Sequence, residues 1–153
     1  MITSSAQVLL IVDVQKDFCP GGALPVTKGN QVIPPLNRAI EHSVSRGERV
    51  LAARDWHPAK TAHFMQYGGN WPPHCIQYTE GAKFHPDLEI PEDTVIISKG
   101  DSYEGNSYSA FLGHLSKGQS LLDYLREHDA EHLTVGGLAT DFCVNYTVLD
   151  ALR

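Results

Sequence analysis

Four segments of the sequence end in residues that could carry out acid–base or nucleophilic chemistry. Three short apolar runs finish with Asp13, Asp55 and Lys99, and a fourth is followed by Cys143. A carboxylate can accept the proton of a thiol, and an ammonium group can stabilise the thiolate that results. Taken singly, Asp13 also fits a strand-end cap and Lys99 a surface lysine. The three types together favour a catalytic set of Asp13, Lys99 and Cys143.

Cys143 lies at a predicted turn from a strand to a helix. Residues 133–137 are apolar and end in glycines, and the next apolar positions recur at helical spacing. Thr140 fits the N-cap of that helix. A thiol near the positive end of a helix dipole has a lowered pKa and becomes a nucleophile. The alternative is a buried cysteine that packs as a small apolar residue, and this segment alone leaves both open.

Asp55 and His57 could supply two metal ligands. Side chains two residues apart on an extended segment project in the same direction, as two ligands must. Residues 56–93 form a long polar and aromatic excursion rich in Pro, Gly and His, from which His63 or His74 could add a ligand. Imidazole and carboxylate groups together suit Zn²⁺, Fe²⁺ or Mn²⁺. Long irregular loops in compact domains are usually functional, so this excursion is expected to bind metal and substrate.

Strands and helices must bring these residues together. Apolar runs predict strands at residues 6–13, 49–55, 94–99 and 133–137, and periodicity predicts helices at about 30–45, at 120–128 and from 141 onward. Strands that alternate with helices indicate an α/β fold: a parallel sheet with helices on both faces, in a Rossmann-like three-layer α/β/α arrangement. The ligand crevice of such a sheet lies beyond the carboxyl ends of its strands, where the four candidate residues fall.

Composition limits the other possibilities. The 153 residues, 42% hydrophobic and 20% charged, fit one domain over residues 1–153. The net charge of −6 argues against a nucleic-acid or membrane-surface partner, and no apolar run approaches the ~20 residues of a membrane span. The three cysteines have no disulfide-framework spacing, and residues 1–5 lack signal-peptide features. We therefore expect a cytoplasmic protein.

Five motifs occur in one order along the chain: LIVDVQKDF at 10–18, RDWHP at 54–58, WPPHC at 71–75, KG at 99–100 and GLATDFCV at 137–144. Together they resemble the nicotinamidases of the isochorismatase-like hydrolase superfamily. The resemblance implies a catalytic triad of Asp13, Lys99 and Cys143. It also implies an oxyanion hole made by the backbone N–H groups of Ala139 and Cys143, with a cis peptide bond before Ala139.

The resemblance further implies a metal and substrate site. Asp55, His57 and His74 would bind one divalent ion together with water, and His63 is an optional further ligand. Zinc is the first choice of metal, with iron or manganese as alternatives. Phe18 and Trp71 match positions whose rings line the pyridine pocket of the family, and Tyr108 is a weaker candidate for the same wall.

The activity implied is hydrolysis of nicotinamide to nicotinate and ammonia through a cysteine thioester in NAD salvage, with pyrazinamide as a further substrate. A related cysteine amidase acting on N-carbamoyl or ureido compounds is one alternative, and an inactive, truncated homologue is another. An isochorismatase is disfavoured because those enzymes typically lack the nucleophilic cysteine. Relatives continue beyond the position of Arg153, so a C-terminally incomplete domain lacking the last strand and helix units is expected. A homo-oligomer is left open.

Overall fold

A single parallel sheet organises the chain. The computed structural model describes residues 6–105 and 108–153, so the prediction for residues 1–5 falls outside it. Strands β1 (Ala6–Val12), β2 (Arg49–Asp55), β3 (Val95–Lys99) and β4 (Ala130–Gly137) lie in the order β3-β2-β1-β4. Every neighbouring pair is parallel. The predicted parallel sheet is confirmed, although β4 begins at Ala130 rather than at residue 133.

Helices cover both faces of the sheet. Helix α1 (Ile33–Ser45) follows a 3₁₀ turn (Gly29–Val32), and its two prolines lie in the first turn, where no backbone N–H is needed. Helix α2 (Leu121–Glu127) begins where the Ser120 hydroxyl accepts a hydrogen bond from the Asp123 N–H. Helix α3 (Asn145–Ala151) continues from a π-helical turn (Thr140–Val144).

Alternation along β1 divides the core into two layers. Leu9 and Ile11 pack with apolar residues of α1 on one face. Leu10 and Val12 pack on the other face with residues of α2 and with Cys143. Because successive strand residues point to opposite faces, a continuous apolar run is the pattern expected for a strand covered on both sides. The three-layer α/β/α arrangement is therefore confirmed.

The predicted N-cap at Thr140 is wrong. Thr140 is already the first helical residue, and no side chain caps the turn. The carbonyl oxygen of Ala139 instead accepts hydrogen bonds from the N–H groups of Phe142 and Val144, each at 3.1 Å. The donors at the start of the helix thus converge on one carbonyl, which replaces the side-chain cap.

The outer side of β4 and α3 is open. β4 forms one edge of the described sheet, and α3 exposes Tyr146 and Leu149, as does its C-cap residue Leu152. Among residues 6–105 and 108–153, no helix has the length and apolar character needed to cross a membrane.

The excursion between β2 and β3 is irregular, as the sequence predicts. Its helical content is limited to two 3₁₀ turns, Met65–Tyr67 and Glu80–Ala82. Single bridges join His57 to Ile76 and Phe64 to Trp71. Phe64 is fully buried beneath the loop. This packing holds His57, His63 and His74 close to one another above the ends of the strands.

Gly137 is required where β4 ends, because its Cα lies against the backbone of β1. Its φ is +143°, and a Cβ there would lie 2.0 Å from the Val12 carbonyl oxygen. We expect Gly137→Ala to lower the free energy of unfolding by more than about 4 kcal/mol. Gly118→Ala is the control: its φ is +80° but the space around it is open, so its cost should be about 1–2 kcal/mol. Similar losses for both variants in chemical denaturation would contradict this account.

Candidate active site

The site lies where the strand order changes direction. From β1 the chain moves to β2 and β3 on one side, and β4 then pairs with β1 on the other side. The carboxyl ends of strands diverge at such a switch point and leave a crevice between them. Asp13 directly follows β1, and Cys143 lies in the turn after β4. The topology therefore brings together residues that are 130 positions apart in the sequence.

Lys99 is the centre of a buried ionic cluster. Its Nζ lies 2.7 Å from Asp13 Oδ2 and 3.5 Å from Cys143 Sγ, and it also donates to Asp55 Oδ1. Lys99 and Asp13 are fully inaccessible to solvent, and Asp55 and Cys143 are also buried. The structure thus brings the three predicted catalytic residues into contact and adds Asp55 as a fourth member.

The buried carboxylates of this cluster titrate differently. Burial raises the pKa of Asp13 to about 6, against the opposing charge of Lys99. Burial also opposes ionisation of Asp55, but the charge of Lys99 holds the pKa of that carboxyl well below its usual range. The negative charge of Asp55 in turn adds to the rise in the pKa of Asp13.

The prediction of a lowered thiol pKa is wrong. Burial raises the pKa of Cys143 well above its usual value, Lys99 opposes the shift, and the two carboxylates add to it. The nearby start of a helix would lower the pKa of the thiol, but desolvation of the sulfur raises it by more. The raised pKa favours the thiol form, so the sulfur could act as a nucleophile only with a neighbouring group to accept its proton.

Asp13 has a carboxylate oxygen in a position to accept that proton. Its Oδ1 is buried and has no hydrogen-bond partner within residues 6–105 and 108–153. One ligand-type atom from each of Asp13, Asp55 and Cys143 lies within 4.8 Å of the other two. Oδ2 is occupied by Lys99 while Oδ1 keeps unused lone pairs, so the geometry suits transfer of the thiol proton to Asp13.

A second cluster of acceptors converges beside the first. Asp55 Oδ2 lies 3.3 Å from His57 Nε2 and 3.7 Å from His74 Nε2. Ring nitrogens of His57, His63 and His74 all lie within 4.8 Å of one another, and all three residues are buried. The structure therefore brings together every residue that was predicted as a metal ligand.

The hydrogen bonds of this cluster fit a bound cation. His57 Nδ1 lies 2.9 Å from the Gly100 carbonyl oxygen and His74 Nδ1 lies 2.7 Å from that of Pro72. In neutral rings, both Nδ1 atoms must then carry the proton, which leaves the Nε2 lone pairs directed at the Asp55 carboxylate. His57 Nε2 is buried and, despite its proximity to Asp55, has no hydrogen bond to any described residue. Converging lone pairs of this kind match the donor set of zinc.

An apolar cavity of about 250 Å³ opens onto both clusters. The three predicted ring positions, Phe18, Trp71 and Tyr108, line it, and Trp71 Nε1 donates to Tyr108 Oη at 3.0 Å. Cys143 and His74 reach the same cavity. Ligand sites for drug-sized molecules typically enclose about 300–1,000 Å³, so this cavity suits a single-ring compound.

Part of the cavity wall was not predicted from the sequence. Residues 24–26 of the loop after β1 line one side, and Asp141 and Phe142 of the turn after β4 line another. Phe142 packs edge-on against Trp71, with ring centroids 5.2 Å apart. Their only sequence signal is their position: the loop follows LIVDVQKDF, and Asp141 and Phe142 belong to GLATDFCV and directly precede Cys143.

The turn after β4 presents backbone amides to the same cavity. The peptide bond between Leu138 and Ala139 is cis, as the resemblance implies. The Ala139 N–H lies between β4 and the helical turn and has no backbone partner in the described part of the chain. It is therefore available to a negatively charged oxygen beside Cys143.

Comparison with known proteins places this arrangement in a family. The sequence profile of the isochorismatase domain matches residues 7–153. The chain belongs to the isochorismatase family. The nicotinamidase of Escherichia coli is 42% identical to it over 163 residues, which cover 96% of this chain and 76% of that relative.

Solved structures of the isochorismatase family have the same fold. The pyrazinamidase of Pyrococcus horikoshii in complex with zinc superposes with a TM-score of 0.88 at 42% identity, covering 95% of this chain and 78% of that one. PnC1 from L. infantum in complex with nicotinate gives a TM-score of 0.82 at 37% identity, covering 99% and 76%. The parallel α/β fold is thus shared with proteins that bind zinc and nicotinate.

Proposed function

We propose that this protein is a metal-dependent nicotinamidase that hydrolyses nicotinamide to nicotinate and ammonia, and pyrazinamide in the same way. The observation that carries the proposal is the buried contact of Asp13, Lys99 and Cys143 at an apolar cavity of single-ring size. The similarity to an E. coli nicotinamidase and to a zinc-bound pyrazinamidase supports it.

In the first half of the reaction, Asp13 Oδ1 accepts the proton of the Cys143 thiol. The Lys99 ammonium group stabilises the anions on both residues, and the sulfur attacks the carboxamide carbon. The backbone N–H groups of Ala139 and Cys143 hold the oxyanion, and a donor of this kind contributes about 3 kcal/mol to the transition state. Asp13 then returns the proton to the nitrogen, the C–N bond breaks, and ammonia leaves a thioester on Cys143.

In the second half, water hydrolyses the thioester. Asp13 accepts a proton from the water as its oxygen attacks the acyl carbon. The C–S bond breaks, the sulfur regains a proton from Asp13, and the carboxylic acid is released as nicotinate. One carboxylate thus serves as base in both halves, which requires the unoccupied Oδ1.

Asp55, His57 and His74 would hold one divalent metal ion, with His63 as an optional further ligand and zinc as the first choice. When bound, the ion supplies a Lewis-acid contact for the ring nitrogen of the substrate and so orients the ring. Phe18 and Trp71 line the cavity on either side of the position proposed for the ring. Asp55 joins the metal set to the catalytic set, since its second oxygen accepts from Lys99.

The proposal is tested by substrate preference. Ammonia release is measured with nicotinamide, pyrazinamide, benzamide and an N-carbamoyl amino acid. We expect both heteroaromatic amides to be hydrolysed, benzamide to be poorer because it lacks a ring nitrogen, and the N-carbamoyl compound to be inert. Faster hydrolysis of the N-carbamoyl compound would contradict the proposal and favour the ureido-compound amidase.

Metal removal should abolish most of the activity. Dialysis against a chelator is expected to lower the rate of ammonia release at least tenfold, and added Zn²⁺ should restore it, with Fe²⁺ and Mn²⁺ tested in parallel. His57→Ala should bind zinc at least about tenfold more weakly, whereas His42→Ala, on an exposed position of α1, should bind it normally. Full activity of the metal-free protein would refute the metal dependence.

A further inference from the structure

Gln15 is a fully buried carboxamide beside the two clusters, and all its hydrogen-bonding groups are used on the backbone. Its Oε1 accepts from the Asp55 N–H at 2.9 Å. Its Nε2 donates to the Asp55 carbonyl oxygen and to the Ala82 carbonyl oxygen, each at 2.8 Å. The side chain has no solvent exposure. A polar group buried in this way is retained only where it is satisfied, as it is here.

The Gln15 carboxamide supplies hydrogen bonds to β2 where β1 no longer pairs with it. β1 stops pairing at Val12, opposite Ala53, while β2 continues to Asp55. Beyond Val12 the chain turns away at Asp13, whose φ is +54°. No residue of β1 therefore pairs with the N–H and C=O groups of Asp55. The Gln15 carboxamide hydrogen-bonds to both groups, as a peptide group of β1 would. On its other side, β2 remains paired with β3 at Lys99.

Asp55 is the residue whose position both clusters share. Its Oδ1 accepts from Lys99, and its Oδ2 faces His57 and His74. A small rotation of the Asp55 backbone would therefore move both carboxylate oxygens at once. The Ala82 contact of Gln15 also ties this point to the last turn of the excursion that carries the histidines.

We propose that Gln15 is a positioning residue that fixes Asp55 for metal binding and for its ion pair with Lys99. The proposal rests on the metal site of the proposed function. Gln15 neither lines the cavity nor contacts the proposed ligand atoms, so it acts through the backbone groups of Asp55 and Ala82. Removal of a residue that orients a metal ligand typically lowers metal affinity or activity about 10–100-fold.

Zinc affinity is compared in three variants by competition with a chromophoric chelator. Each variant is first shown to melt cooperatively, so that only folded protein is compared. Gln15→Leu removes all three hydrogen bonds. Gln15→Glu keeps the size and the acceptor but places an oxygen against two carbonyl oxygens. Asn37→Leu is the matched control, because the Asn37 carboxamide also bridges two backbone groups away from the site. It donates to the Asp87 carbonyl oxygen at 2.8 Å and accepts from the Glu89 N–H at 2.9 Å.

We expect both Gln15 variants to bind zinc about 10–100-fold more weakly than the wild type, and Asn37→Leu to bind it normally even where its melting temperature falls. Unchanged zinc affinity in the Gln15 variants, or an equal loss in Asn37→Leu, would overturn the proposal. A wild-type chain that binds zinc but releases no ammonia from nicotinamide would count against the proposed function and not against the role of Gln15.

Discussion

Cys143→Ala is expected to lower the kcat for nicotinamide hydrolysis by on the order of 10⁴-fold or more, while zinc binding persists. The sulfur is the only nucleophile proposed for the carboxamide carbon, and the proposed metal ligands belong to the neighbouring cluster. Asp13 and Lys99 remain in the variant, but without the thiol they have no proton to accept or thiolate to stabilise. Ammonia release and zinc titration on the same preparation measure both effects.

Cys19→Ala is the matched control for this variant. Cys19 is buried among apolar residues in the loop after β1, and it packs with Cys75 and Leu138 in a separate small cluster. Its replacement should lower the melting temperature slightly and leave kcat within about twofold of the wild type, since it removes only packing contacts. Substantial turnover by Cys143→Ala, or an equal loss in Cys19→Ala, would show that the nucleophile is misassigned.

Lys99→Met should lower the free energy of unfolding by about 3–5 kcal/mol and abolish hydrolysis. Lys99 is fully buried between Asp13 and Asp55, and burial alone would favour its neutral form, yet the two carboxylates raise its pKa well above the usual value. Removing the ammonium group leaves two carboxyl groups facing each other without a counter-ion. Methionine keeps most of the volume, so the loss reports on charge rather than on a cavity.

Urea denaturation and ammonia release measure this prediction together. Lys60→Met is the control, because Lys60 is exposed in the excursion and its substitution should change stability by no more than about 0.5 kcal/mol. If Lys99→Met were as stable as Lys60→Met, the buried ion cluster would contribute little, and the account of Lys99 would need revision.

The sequence was sufficient for the sheet and for the residues at its edge. Continuous apolar runs bounded by polar residues identify buried strands, and in a parallel sheet the carboxyl ends of those strands meet by topology. The positions of Asp13, Asp55 and Lys99 therefore followed from order along the chain alone. From the residues alone, His63 or His74 was expected to join Asp55 and His57, and the family resemblance implied His74 with His63 as an optional further ligand.

The remaining features depend on packing that no local pattern encodes. The pKa of Cys143 depends on how deeply the sulfur is buried, and the sequence shows only its place at a helix start. Thr140 has the residue type of an N-cap, but the helix already includes it. Gln15 reads as one polar residue in a loop, and its contact with Asp55 joins positions 40 residues apart. Residues 24–26 have no periodicity that would assign them to the cavity.

Nicotinaldehyde offers the most direct test of the central claim, that the Cys143 sulfur adds to the carbonyl carbon of a pyridine carboxamide. The aldehyde carries the same ring and carbonyl but no leaving group, so attack would stop at a tetrahedral thiohemiacetal. With the aldehyde carbon labelled with ¹³C, the NMR signal should move from the carbonyl region to the tetrahedral region in the wild type and remain in the carbonyl region in Cys143→Ala. An unchanged carbonyl signal in wild-type protein saturated with the aldehyde would contradict covalent catalysis by Cys143.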